Sequence, residues 1–209
     1  MSTKHAFTSP ITDGGDPDIV GPDEWNEPHE DTTLAPYALT HPLGVDDQGT
    51  SLTFLGNGGS VAAPIYIPTT LILQSLTFRQ AGPTGDQDFE WRLYEGTNDG
   101  TLSAVTGADG SLVFNVTGNT FQTIDASGAP VIIQSGMYWL VLRNRRGVDA
   151  FVNGRQVTVL AGIPSISQSK TLGSALPSSL DMVTGWTKQS QTTPWYRLDG
   201  RVFGQSTAF

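Results

Sequence analysis

"QDFEWRLYEG", residues 87–96, decides the fold class. Phe89, Trp91 and Leu93 recur at every second position, with Asp88, Glu90, Arg92 and Tyr94 between them. Successive side chains of an extended chain point to opposite faces, so this alternation predicts a strand with one face on a core and the other toward solvent.

Working outward, the same grammar repeats. "AAPIYIPTTLILQSLTFRQ" (62–80) reads as one or two strands, and "SLVFNVTGNTFQTID" (111–125) as two more around Gly118-Asn119. "GMYWLVLRNR" (136–145) is apolar on both faces, which predicts a strand central in its sheet or covered by a neighbour. "AFVNGRQVTVLA" (150–161) and "WYRLDGRVFG" (195–204) each place Asn-Gly or Asp-Gly between β-rich runs, a strong hairpin signal. Seven or eight short strands separated by turns predict an all-β chain, a β-sandwich of jelly-roll type. Residues 164–194 break the pattern: rich in Ser, Thr and Gln and without a period, they read as a long loop, with a strand or short helix near Leu176–Met182.

Composition agrees. The 209 residues include 24 Gly and 13 Pro with only 15% charged residues, a profile that suits turn-rich β structure. A net charge of −9 speaks against nucleic acid as a partner, because phosphate binding needs clustered cations. The absence of Cys excludes disulfides and thiolate metal sites. No apolar run has membrane-spanning length, and "MSTKHAFTSP" lacks the apolar core of a secretory signal, so neither membrane insertion nor signal-dependent export is expected.

Charge divides the chain. Residues 1–60 hold ten acids and one base, Lys4; subtracting these from the totals of 20 and 11 leaves ten of each sign for residues 61–209. Two regions follow: an acidic, Pro- and Gly-rich extended arm (1–60) and the β-sandwich (61–209). Within the arm, "DPDIVGPDEWNEPHE" (16–30) sets Trp25 among six acids and three prolines. An indole is costly to leave in water, so Trp25 either folds back on its own domain or waits for a partner.

The segment "KHAFTSPITDGGDPDIVGPDEWNEPHE" (4–30) resembles an N-terminal motif of tailed-bacteriophage virion proteins: a His-x-Phe start, Asp-Gly, then Val-x-Pro-x-(Asp/Glu)-Trp-Asn and a His three residues on. His5, Phe7, Asp13, Gly14, Val20, Pro22, Trp25, Asn26 and His29 carry the likeness, while Gly21 stands where that motif has Arg. "FQTIDASGAPVIIQSGMYWLVL" (121–142) is similar, more weakly, to the Gly-x-Tyr-Trp-Leu strand of jelly-roll modules in phage appendages. The resemblance implies a tail-fibre, spike or head-decoration component of a phage or gene-transfer particle. It also implies that Phe7, Ile19, Val20, Pro22, Trp25, Asn26 and His29 dock the arm to capsid, portal, collar or tail proteins. Prolines flanking Trp25 preset the backbone and reduce the entropy lost on docking.

Other clusters have plainer readings. His5, His29 and His41 match no metal-ligand spacing, and Asp13, Asp16 and Asp18 lack the rest of an EF-hand loop, so no metal or other cofactor is expected. Asp86, Asp88 and Glu90 share a strand face. A carboxylate pair can cleave glycosides, but solubility, with Arg79 and Arg92 as counter-charges, accounts for them. All three His lie on the arm, which leaves no Ser-His-Asp arrangement, and "GNGGS" (56–60) lacks the Lys of a phosphate loop. Arg143, Arg145 and Arg146 are a candidate interface with an acidic arm, a neighbouring subunit or an acidic surface sugar, or else a charged turn after a buried strand. Trp186, Trp195 and Tyr196 flank the polar loop as a candidate glycan site, or pack the last strand. The expected protein is non-enzymatic and virion-borne, self-associating as a trimer through the second apolar face of "MYWLVL". A host-surface carbohydrate-binding module is the runner-up, and a polysaccharide-degrading tailspike is a more remote alternative.

Overall fold

The structure, a computed structural model, describes residues 38–39, 51–54, 58–81, 85–96, 100–116, 120–146, 150–156, 167–172, 175–189 and 192–202. All belong to one compact unit, Pro36–Phe203. The docking residues expected on the arm (Phe7, Ile19, Val20, Pro22, Trp25, Asn26, His29) lie outside the described residues.

Among the described residues the chain is all-β. Its strands are β1 (Ala38–Leu39), β2 (Ser51–Phe54), β3 (Gly59–Ile67), β4 (Leu71–Ala81), β5 (Gly85–Glu95), β6 (Thr101–Val116), β7 (Thr120–Asp125), β8 (Val131–Ile133), β9 (Gly136–Asn144) and β10 (Ala150–Gln156). There follow β11 (Ser167–Thr171), β12 (Ser179–Asp181), β13 (Thr187–Gln189), β14 (Thr192–Pro194) and β15 (Tyr196–Val202). They form two antiparallel sheets. One runs β12-β6-β5-β9-β3-β11-β13; the other runs β1-β15-β4-β10-β14, with β2 on β10 and both β7 and β8 on β4. The paired chain therefore reaches back past the charge boundary at residue 61: Ala38 and Leu39 face Leu198 and Arg197, and β2 lies along β10.

The alternation in β5 does what its period requires. Phe89, Trp91 and Leu93 are buried in the main core with Leu73, Leu76 and Phe78 of β4. Phe78 of one sheet meets Phe89 of the other edge-on at 5.2 Å, and Phe114 of β6 stacks on Phe89 at 5.8 Å. Quadrupolar rings favour these edge and offset contacts, which join the two sheets face to face.

Both Gly-containing hairpin signals fail. β10 runs unbroken through Asn153-Gly154, with Asn153 opposite Ser51 and Gly154 opposite Pro194. Neighbouring strands take up the ladder positions on this segment, so tertiary pairing overrides the local turn preference. β15 likewise continues through Asp199-Gly200, where the register against β4 shifts by a bulge. Gly is needed there because a Cβ on Gly200 would collide with the backbone carbonyl of Ile72.

"MYWLVL" is central, paired with β3 on one side and β5 on the other. Tyr138, Leu140 and Leu142 enter the main core. Trp139 and Val141 belong to a second core with Tyr94 and Leu102, roofed by Leu176, Leu180 and Met182. The roof comes from the polar stretch read as loop, which contributes β12 against β6 within the region Leu176–Met182. The apolar outer face invoked for a trimer is thus covered by the chain itself.

Candidate functional site

The three aromatics expected to line a glycan site are not together. Tyr196 is fully buried in the main core, its Oη 3.5 Å from the Val61 carbonyl, and burial pushes its phenol well above the ordinary value. Trp186 packs against the second core; its Nε1 donates to the Asp181 carbonyl at 2.8 Å, and the Lys170 ammonium lies 5.9 Å from its ring. Trp195, immediately before β15, meets Phe121 of β7 edge-on at 5.3 Å. Trp186 and Trp195 therefore serve opposite outer faces of the two sheets. Tyr196 points inward because its neighbour Trp195 points outward, as period two demands.

The basic cluster is matched by the acidic one. Register places Glu90 opposite Arg143 and Phe89 opposite Asn144, which brings Asp88 and Asp86 level with the residues beyond. Arg143 binds Glu90, Arg145 Nε lies 3.7 Å from Asp88, and Arg146 lies 3.6 Å from Asp86. Arg146 also donates to the Asp86 carbonyl, and the Arg145 amide donates to the Asp88 carbonyl at 2.8 Å. Arg146, after the Asn115 amide, holds the Asp86 carboxyl below the usual carboxylate range. The counter-charges for the three acids are these arginines rather than the expected pair Arg79 and Arg92. Only Arg145 and Arg146 keep exposed guanidinium surface for an outside partner; the Arg143 side chain is 2% exposed.

The roof is clamped by polar contacts from the sheet. Arg92 donates to the Leu176 carbonyl at 2.7 Å and pairs with Asp109 at 2.6 Å; Tyr94 Oη donates to the Pro177 carbonyl at 2.7 Å. Burial pushes the Tyr94 phenol up to about 12, so it remains a donor across the physiological range. Burial works to raise the Asp109 carboxyl. Hydrogen bonds from Ser127 and Arg92, with the Arg92 charge, outweigh it and hold the group below its ordinary value. This is the chemistry of a fixed cover.

Solvent meets chemistry instead on the outer face of the β15-β4-β7 sheet. Phe121 is 62% exposed, and the Arg79 guanidinium sits 5.9 Å from its ring. One step along the ladder, Thr77 and Thr123 hydroxyls lie 2.8 Å apart, Thr77 donates to Asp199 at 2.5 Å, and Asp199 pairs with Arg197 at 2.6 Å. Sequence reasoning found Trp195 but missed Phe121 and Arg79. The available signal was an aromatic on the polar side of an alternating strand: in "TFQTID", Ile124 faces the core and Phe121, Thr123 and Asp125 face outward. Among the described residues no group of acids and histidines is arranged to hold a metal ion.

Comparison with known proteins adds no family: no protein-family model matches the chain, and no curated protein matches it.

Proposed function

We propose that the chain is a structural virion protein, docked to its particle by the N-terminal arm and displaying a jelly-roll-like β-sandwich outward as fibre, spike or decoration. The observation that carries this reading is the motif spanning His5 to His29, with Trp25-Asn26 at its centre. The all-β unit, whose two sheets close on each other, supports it as a display module. The arm's charge suits docking to a complementary surface, and Trp25 is the anchor because a rigid indole delivers large buried area with little entropy lost. The protein acts without catalysis, assembles in the host cytoplasm and associates with copies of itself, as closed symmetric appendages do.

The test is Trp25→Ala in particles. Removing a hot-spot aromatic costs on the order of 2–4 kcal/mol, so the variant is expected to be depleted from purified particles while its melting temperature stays near that of the unaltered chain. Normal copy number overturns the anchor. A drop of many degrees in melting temperature places Trp25 in a core instead.

A second reading, recognition of a host-surface carbohydrate, is favoured by one observation: the exposed Phe121 and the half-buried Trp195 beside hydroxyl and charged side chains on a sheet face.

A further inference from the structure

Five arginines of the described unit are held by carboxylates, and Arg79 is placed differently. Arg92, Arg143, Arg145, Arg146 and Arg197 each lie against a carboxylate. Among the described residues Arg79 lies against none; it sits over the face of Phe121. Arg79 and Phe121 are opposed across β4 and β7, and Tyr196 opposite Phe78 sets Trp195 beside the same row from the other side. The sheet thus holds an aromatic pair and a cation in one row.

We propose that Arg79, Phe121 and Trp195 form a binding site for a carboxylated sugar, a uronic- or sialic-type residue of a surface polysaccharide. The aromatic pair presents faces and edges for the C–H surface of a pyranose. Arg79 supplies a planar fork for the sugar carboxylate, and a guanidinium is the side chain best shaped for that bidentate contact. Thr123, exposed in the next row, offers a hydroxyl about 6.8 Å along the strand, the length of two residues and within reach of the same sugar ring.

Size and charge select this occupant over a protein. A stable protein partner covers roughly 800 Å² on each side, whereas the apolar part of this patch is two rings bordered directly by Thr77, Thr123 and the Arg197–Asp199 pair. A neutral sugar would use the rings but leave the Arg79 charge unanswered. The proposal deepens the carbohydrate reading and is independent of arm docking: particle incorporation tests the arm, and sugar binding by the purified full chain tests this site.

The experiment is a panel of uronic- and sialic-acid-bearing oligosaccharides printed beside neutral counterparts of the same length, probed with the full-length protein. Selective retention on acidic members is expected. It should fall at least tenfold in Arg79→Gln and in Phe121→Ala, persist in Phe121→Trp, and be unchanged in Trp186→Ala, whose ring serves the other sheet. Thermal unfolding of each variant near the unaltered value shows that the loss is local. Absence of retention on every acidic member, preference for neutral members, or full retention by Arg79→Gln overturns the proposal.

Discussion

Glu90 and Arg143 face each other across the β5–β9 ladder, and the Glu90 Oε1 that takes the Arg143 guanidinium also accepts the Leu176 amide at 3.0 Å. One carboxylate therefore ties two strands of a sheet to the segment that roofs it. The Arg143 side chain is only 2% exposed, so the pair lies where water screens it little.

Breaking this junction from one side should be severe. Arg143→Ala leaves a carboxylate without its cation, and removal of one member of a buried pair costs about 3–5 kcal/mol. Replacing both, as Glu90→Leu with Arg143→Met, should recover part of the loss. The shortfall is the orphaned Leu176 amide, about 1–3 kcal/mol. Urea unfolding of the three proteins checks the order. A double variant less stable than Arg143→Ala would show that the pair is not the source of the effect.

The roof over Trp139 and Val141 should be what keeps this face from self-association. Leu180, one of the residues that form that cover, is 2% exposed, so Leu180→Ala is expected to cost about 2–4 kcal/mol, as large-to-small core changes do. Leu180→Asp should lift the roof and expose the second core. Light scattering should then report association at concentrations where the unaltered chain does not change state. A Leu180→Asp protein that stays as dispersed as its parent would locate the cover elsewhere.

The Arg92–Asp109 clamp makes a pH prediction. A carboxyl held below its ordinary value when folded contributes stability that is present above the unfolded value, near 3.8, and is lost as pH falls through the lower folded value. Asp109→Asn should therefore be less stable than the unaltered chain at neutral pH, by about 1.5 kcal/mol for a charged hydrogen bond. The gap should close below about pH 4. Melting curves from pH 7 to 3 read both; a gap that does not vary with pH would show that the carboxylate charge is not involved.

Two glycines should resist substitution for lack of space. A Cβ at Gly200 would strike the Ile72 carbonyl, and one at Gly110 would strike the Asp125 carbonyl and Trp91 Nε1. Backbone cannot yield as a flexible side chain does, so Gly200→Ala and Gly110→Ala should each cost about 1–3 kcal/mol. By contrast Gly100, with open space around it, should accept Ala at little cost. Chemical denaturation of the three variants decides; equal tolerance at all three positions would contradict the packing at the bulge and at Trp91.

Legibility in the sequence followed the range of the interaction. Period two in 87–96 and double-sided apolarity in 137–142 are properties of consecutive residues, and both translate directly into strands with the expected buried faces. The charge division at residue 60 and the Trp-bearing acidic arm are equally local readings. What the tertiary structure alone decided lies between distant positions. Glu90 meets Arg143 across 53 residues and Leu176 across 86; no local spacing encodes such register. For the same reason the Asn-Gly and Asp-Gly signals became strand interior and bulge once neighbouring strands claimed their backbone groups. The aperiodic polar stretch became a roof because a few of its apolar residues fit an apolar face elsewhere. Consecutive Trp195 and Tyr196 parted to surface and core because a pleated chain sends neighbours to opposite sides. Phe121 and Arg79, 42 positions apart in sequence, became neighbours only when β4 and β7 paired.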